Sequence, residues 1–141
     1  MILYSESSAV VSWLLGESTA EGVRRLMGDS ELVVASELTL VECDRVLIRA
    51  ASSEVLSEAD AADRRARLAA AAVHWNLLKL DDEVLERARR PFPLEPIRTL
   101  DALHLASALV ARAALPDLAI LSLDERVRAN GERLGFRVAP D

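Results

Sequence analysis

Four acidic side chains stand at four structural corners of this chain, and their surroundings suggest chemistry. Glu6 follows the opening strand pattern "MILY", Glu42 lies in "SELTLVECDRVL", Asp101 in "IRTLDALHLASAL" and Asp124 in "AILSLDERV". Glu6 and Asp124 come after apolar runs that read as buried parallel strands, while Glu42 and Asp101 sit in segments that read as helices. A carboxylate in apolar surroundings is costly unless it is paired, and several converging at one sheet edge repel each other. A divalent cation with oxygen ligands relieves both penalties. The chemistry this suggests is phosphodiester hydrolysis, in which a divalent metal offsets the ester's charge and makes a bound water more acidic. Hard ions such as Mg²⁺ or Mn²⁺ take oxygen donors. No CxxC or HExxH spacing competes, and there are only two histidines. No Ser–His or Cys–His arrangement suggests a protein nucleophile.

The elements that must position these acids alternate. Ile2–Ser5 predicts a first strand, followed by a helix capped by Ser7 or Ser8 and running to Gly16. A second helix spans about Thr19 to Met27 and stops at Gly28. Leu32–Ala35 predicts the second strand, and Ser36 caps a helix carrying Leu38, Val41, Val46 and Leu47. A long helix opens at Ser57 and reaches about Trp75, with acids early and arginines late as the helix dipole prefers. "NLLKL" reads as a strand, and "DDEVLERARR" as a helix ended by Pro91. "PFPLEP" reads as a loop, Thr99 as the cap of the helix bearing Asp101, and "LAILSL" as a fourth strand. Asp124 begins a last helix to Gly131 or Gly135, and "FRVA" is a short final strand. Apolar strands alternating with helices imply an α/β fold, with a central parallel sheet of four to five strands flanked by helices on both faces. Sites in such sheets lie beyond the carboxyl ends of the strands. Glu6 and Asp124 fall there by sequence position alone.

The chain has 141 residues, 51% of them hydrophobic and 28% charged, which suits one ordinary domain over residues 1–141 with a real core. No apolar stretch is long enough to span a bilayer. No basic leader is evident, and the single cysteine, Cys43, excludes an internal disulfide, so cytoplasmic location is the expectation. A net charge of −6 argues against a general nucleic-acid binder but not against a nuclease, whose catalytic acids count toward the total. Lys79 is the only lysine. The arginines form local groups, among them Arg87, Arg89 and Arg90, and such groups are ordinarily solvated helix faces.

Together "MILYSESSAVVSWLLGE", "SELTLVECDRVL", "IRTLDALHLASALV" and "ILSLDERVRANGERLGF" resemble the PIN-domain nucleases, and more narrowly the toxin component of VapBC toxin–antitoxin pairs. The resemblance covers nearly the whole chain, in order. It implies a Mg²⁺- or Mn²⁺-dependent endoribonuclease in which Glu6, Glu42, Asp101 and Asp124 form the acidic quartet. Asp101, Glu6 and Asp124 would hold one metal directly or through water, with Glu42 completing the site or a second metal position. Ser8 matches a hydroxyl that supports the first acid. Where this chain has Glu6, the family usually has Asp. The resemblance also implies an RNA substrate, homodimerisation, and a small antitoxin whose partner helix would dock between Ser36 and Trp75.

Other residues have plainer readings beside their functional ones. His104 follows Asp101 by three positions; beside a role as base or ligand, it reads as a buried or half-buried histidine satisfied by a neighbour. His74 reads as structural, Cys43 as a small core residue, and Trp13 and Trp75 as core or partner-facing. Asp44 reads as solvated, and Glu37 and Glu17 as weaker acid candidates. Arg98 stands at the expected mouth of the site, where it would hold a phosphate or a resting acid. Ser122 and Asn130 near Asp124 are candidates for orienting ligands or water. Because of Glu6, the alternative function is a catalytically weakened module that binds RNA or a partner. A phosphoacceptor receiver domain is disfavoured, because no late strand offers a lysine.

Overall fold

The computed structural model describes all residues, Met1–Asp141. Its elements run β1 (Ile2–Ser5), α1 (Ser7–Leu15), α2 (Ala20–Asp29), β2 (Leu32–Ser36), α3 (Glu37–Ser52), α4 (Glu58–Ala72), β3 (Asn76–Leu78), α5 (Asp82–Ala88), α6 (Thr99–Arg112), β4 (Leu118–Leu121), α7 (Glu125–Arg133) and β5 (Val138–Ala139). The five strands form one parallel sheet in the order β3-β2-β1-β4-β5. The chain therefore builds outward from β1 to β3 on one side, then returns to the other side of β1 with β4. That reversal makes the β1/β4 crevice the topological switch point, where open α/β sheets place their ligands.

Side-chain alternation along β1 assigns the two faces. Tyr4 packs with α5, α6, Val127 of α7 and Phe92, while Leu3 packs with Ala9 of α1 and Val23 of α2. A third cluster joins Val10 and Leu14 of α1 to Cys43 and Leu47 of α3 and Leu68 of α4. α6 is buried along much of its length because its small residues Ala102, Ala106, Ala108 and Ala111 allow close approach to the sheet. No helix is long and apolar enough to cross a membrane.

Several local boundaries differ from those the sequence suggests. Neither Ser7 nor Ser8 caps α1; the N-cap is Glu6, without a side-chain cap bond, and both serines are used in the site instead. α2 passes through Gly28 to Asp29, whereas Gly16, in the left-handed region at φ 66°, does end α1. Ser36, Ser57 and Asp81 cap α3, α4 and α5 with their side chains. α4 stops at Ala72, short of Trp75. Thr99 is the first residue of α6 rather than its cap; Arg98 is the N-cap, and the Asp101 carboxylate accepts the Arg98 backbone N–H at 3.0 Å.

α7 also passes through its glycine. A Cβ on Gly131 would stand 3.2 Å from both Ile120 Cδ1 and Val138 Cγ2, so this helix lies directly on β4 and β5. Gly131→Val should overpack that contact and lower the unfolding free energy by about 1–3 kcal/mol, measured by urea denaturation. Cys43 is fully buried, and burial, reinforced by the charges of Glu42, Asp44 and Glu6, pushes its thiol up to about 12. It should resist alkylation by iodoacetamide at pH 8 in the native protein and react in urea, as mass spectrometry would show.

Candidate active site

The site lies beyond the carboxyl ends of β1 and β4. The β1/β4 ladder extends one step past β1, where the Glu6 N–H donates to the Leu121 carbonyl at 2.9 Å. Glu6 is thereby fixed beside the turn that leads into α7, and its side chain is 5% exposed. Its Oε2 accepts hydrogen bonds from Ser8 Oγ and, at 2.7 Å, from Ser122 Oγ. Ser8 Oγ also accepts from the Leu123 N–H, and Ser122 Oγ from the Asp124 N–H. The two serines thus tie the acid after β1 to the backbone after β4. Glu6 Oε1 makes no hydrogen bond within the protein, so it is available to another partner.

Asp124 divides its oxygens. Oδ1 accepts from the Arg126 and Val127 N–H groups at 2.9 and 3.3 Å, which caps α7. Oδ2 accepts from Arg98 Nη2 at 2.9 Å. The same guanidinium reaches Asp101, with Nη2 to Oδ1 and Nε to Oδ2, both at 3.2 Å. Asp101 is 3% exposed and lies in the first turn of α6, where the helix dipole favours its charge. Arg98 consequently bridges the two aspartates. Its guanidinium is held above its already high ordinary value, first by the hydrogen bond to Asp101, then by the charge of Asp101, with further contributions from Asp124 and Glu6.

Glu42 sits to one side, within a separate network. Ser7 Oγ donates to its Oε1 at 2.7 Å, and His104 Nε2 lies 2.5 Å from the same atom. His104 Nδ1 is 2.8 Å from the Tyr4 hydroxyl. Burial, chiefly, raises the Tyr4 pKa, so Tyr4 keeps its proton and can donate it to Nδ1. The ring then carries a proton on Nε2 for Glu42. Burial also pushes the Glu42 carboxyl upward, but the hydrogen bond and attraction of His104, with the Ser7 hydroxyl, outweigh this and leave it below its ordinary value. Asp101 opposes that lowering, so its charge is felt at Glu42. Glu42 Oε2 is the second carboxylate oxygen in the site with no hydrogen bond.

All four acids suggested by the sequence therefore lie around one end of the sheet. Ser8, Ser122 and Arg98 contact them directly. Asn130 does not join the site: it is 1% exposed and pins the proline loop through the N–H and carbonyl of Leu94. Asp44 pairs with Arg65. His104 shares a helix with Asp101, yet its partner is Glu42, on a different helix. Ser7 reads from sequence only as a helix cap, because its contact with Glu42 spans 35 residues and has no local signature. No group of three or more His, Cys, Asp or Glu side chains is arranged to hold a metal ion.

The sequence pattern of the PIN domain family matches residues 3–133 of this chain. The chain is a PIN domain. It aligns over 136 residues with "Ribonuclease VapC46" of Mycobacterium tuberculosis, at 32% identity over 96% of this chain and 95% of that protein. "Ribonuclease VapC35" of the same species is also 32% identical, over 97% and 95%. Among solved structures, FitAcB from Neisseria gonorrhoeae superposes with a TM-score of 0.68 at 18% identity, covering 99% of this PIN domain and 97% of that chain. VapC20 of M. tuberculosis, described as a sarcin–ricin loop cleaving toxin, gives 0.65 at 17% identity, covering 95% of both chains. At those identities the superpositions speak for the fold alone.

The Tyr4–His104–Glu42 line gives a stability test. His104→Ala would leave the buried Tyr4 hydroxyl without its ring partner and take one of two hydrogen-bond partners from the partly exposed Glu42, and it should cost about 1–3 kcal/mol in urea unfolding.

Proposed function

We propose that this PIN domain is an endoribonuclease that depends on a divalent cation, Mg²⁺ or Mn²⁺, and serves as the toxin of a toxin–antitoxin pair. The observation that carries the reading is the placement of Glu6, Asp101 and Asp124 around the β1/β4 switch point. The full-length similarity to proteins named as VapC ribonucleases supports it.

By their chemistry, though not in their present arrangement, the donors suit a hard cation: four carboxylates, two of which, Glu6 and Glu42, each keep one oxygen free of hydrogen bonds. Glu6, Asp101 and Asp124 would hold the ion, with Glu42 completing the site. When bound, the ion supplies charge neutralisation at the phosphodiester and a more acidic water. The protein's own contributions are positional. Ser8 and Ser122 fix Glu6 by donating to one of its oxygens. His104 and Ser7 fix Glu42. The α6 and α7 N-termini face the site, with Asp101 in the first turn of α6 and Asp124 as the N-cap of α7, so their dipoles favour the negative charge gathered there.

A partner is also part of the proposal. Val41 and Ile48 on α3 and Val55 beyond it are 59%, 38% and 74% exposed, apolar surface that an antitoxin helix could cover within the Ser36–Trp75 region. Homodimerisation is proposed from family resemblance. The second reading, a module that binds RNA without cutting it, draws on Glu6 and on the Arg98 bridge, which already sets one positive charge across two of the acids.

Purified protein should cleave structured RNA in Mn²⁺ and lose cleavage in EDTA. Asp101→Asn should reduce the rate by at least about a hundredfold, the scale expected when a metal-holding group is lost. Asp124→Asn is the cleaner companion, because asparagine also caps helices well. It should retain the melting temperature within a few degrees and lose activity. Equal cleavage by both variants would defeat the assignment, and metal-independent RNA binding without turnover would favour the second reading.

A further inference from the structure

The cation-binding reading leaves one contact to explain: the two aspartates expected to hold the ion already share a cation. We infer that Arg98 is a positioning residue that holds Asp101 and Asp124 together as an internal counter-ion, and that a divalent cation enters by displacing its guanidinium. This inference rests on the proposed metal-dependent function and goes beyond it.

The geometry assigns the role to Arg98 alone. It makes three side-chain hydrogen bonds to the two aspartates, and no other basic side chain bonds to either. The pair is lopsided in burial. The Arg98 side chain is 62% exposed, that of Asp101 5% and that of Asp124 21%. An arginine so exposed can return to water at little cost. A buried aspartate left without a counter-ion has no such option. Replacement of the guanidinium by another cation is therefore favourable where simple loss is not.

Charge points the same way. Two aspartates and one arginine sum to −1, and Glu6 adds further negative potential at the guanidinium. A monovalent fork leaves the two aspartates under-neutralised, whereas a divalent ion matches their charge. The aspartates also have anchors that survive the exchange. Asp101 Oδ2 keeps the Arg98 backbone N–H, and Asp124 Oδ1 keeps the first turn of α7. The ligands stay in place while only a surface side chain moves. Arg98 thus sets the affinity of the site, because a tethered competitor must be displaced at every binding event.

The test titrates Mg²⁺ into the intact protein by calorimetry and follows the Arg98 Nε–H signal by NMR. It is repeated for Arg98→Gln, which removes the charge, and Arg98→Lys, which keeps the charge without the fork. Melting temperatures check folding. The expected result is a saturable shift of the Arg98 Nε–H signal, with Mg²⁺ bound about three- to tenfold more tightly by Arg98→Gln than by the native protein and intermediately by Arg98→Lys. If the native protein binds Mg²⁺ while that signal stays fixed, or if both variants bind no more tightly than it does, the exchange is overturned and the metal-dependent reading stands. If none of the three binds Mg²⁺ or Mn²⁺, the exchange and the metal-dependent reading fall together.

Discussion

Negative charge collected at the carboxyl ends of parallel strands has to be compensated, and the surroundings of this site are organised by that requirement. Parallel strands deliver Glu6 and Asp124 to adjacent positions because β1 and β4 are neighbours at the sheet's reversal point. α6 delivers Asp101 to the same place from above. Water cannot screen these groups well, since Glu6 and Asp101 are almost fully enclosed. Compensation comes from three sources: serine hydroxyls for Glu6, helix N-termini for the aspartates, and the Arg98 guanidinium across both aspartates.

The hydrogen bonds are not spread evenly. Glu6 and Glu42 each receive their partners on a single oxygen, and Asp124 uses one oxygen for its own helix. A carboxylate held by one oxygen is oriented without being saturated. Rigidity and availability are thereby combined, as a binding site built on regular elements needs. The cost of holding Glu42 is carried deep in the molecule, by a histidine that is itself held by the hydroxyl of Tyr4 on the central strand.

The parallel sheet, its helices and the four acids were legible because each leaves a local trace. β1 reads as four residues and is four; Ser36 and Ser57 look like caps and are caps. What could not be read are pairings that join distant parts of the chain. Tyr4 and His104 are 100 residues apart, Glu42 and His104 are 62 apart, and no spacing rule connects them. Ser7 and Ser8 carry a capping signature, but tertiary acceptors compete successfully for their hydroxyls. Gly28 looks like a stop and is not, because a glycine inside a helix costs only about 1 kcal/mol relative to alanine. Arg98 was visible as a residue near the mouth of the site, but its bridging of two acids depends on β4 and α6 meeting.

The bare backbone at Gly131 reaches further than its own contact. Asp124 is the first link of the helix that contains it, and the height of that helix above the strands is set where no side chain intervenes. A methyl group added there, two turns from the chemistry, would act as a shim. By lifting the helix it would carry Asp124 away from the crevice, so the reach of one carboxylate is gauged by an atom the chain omits.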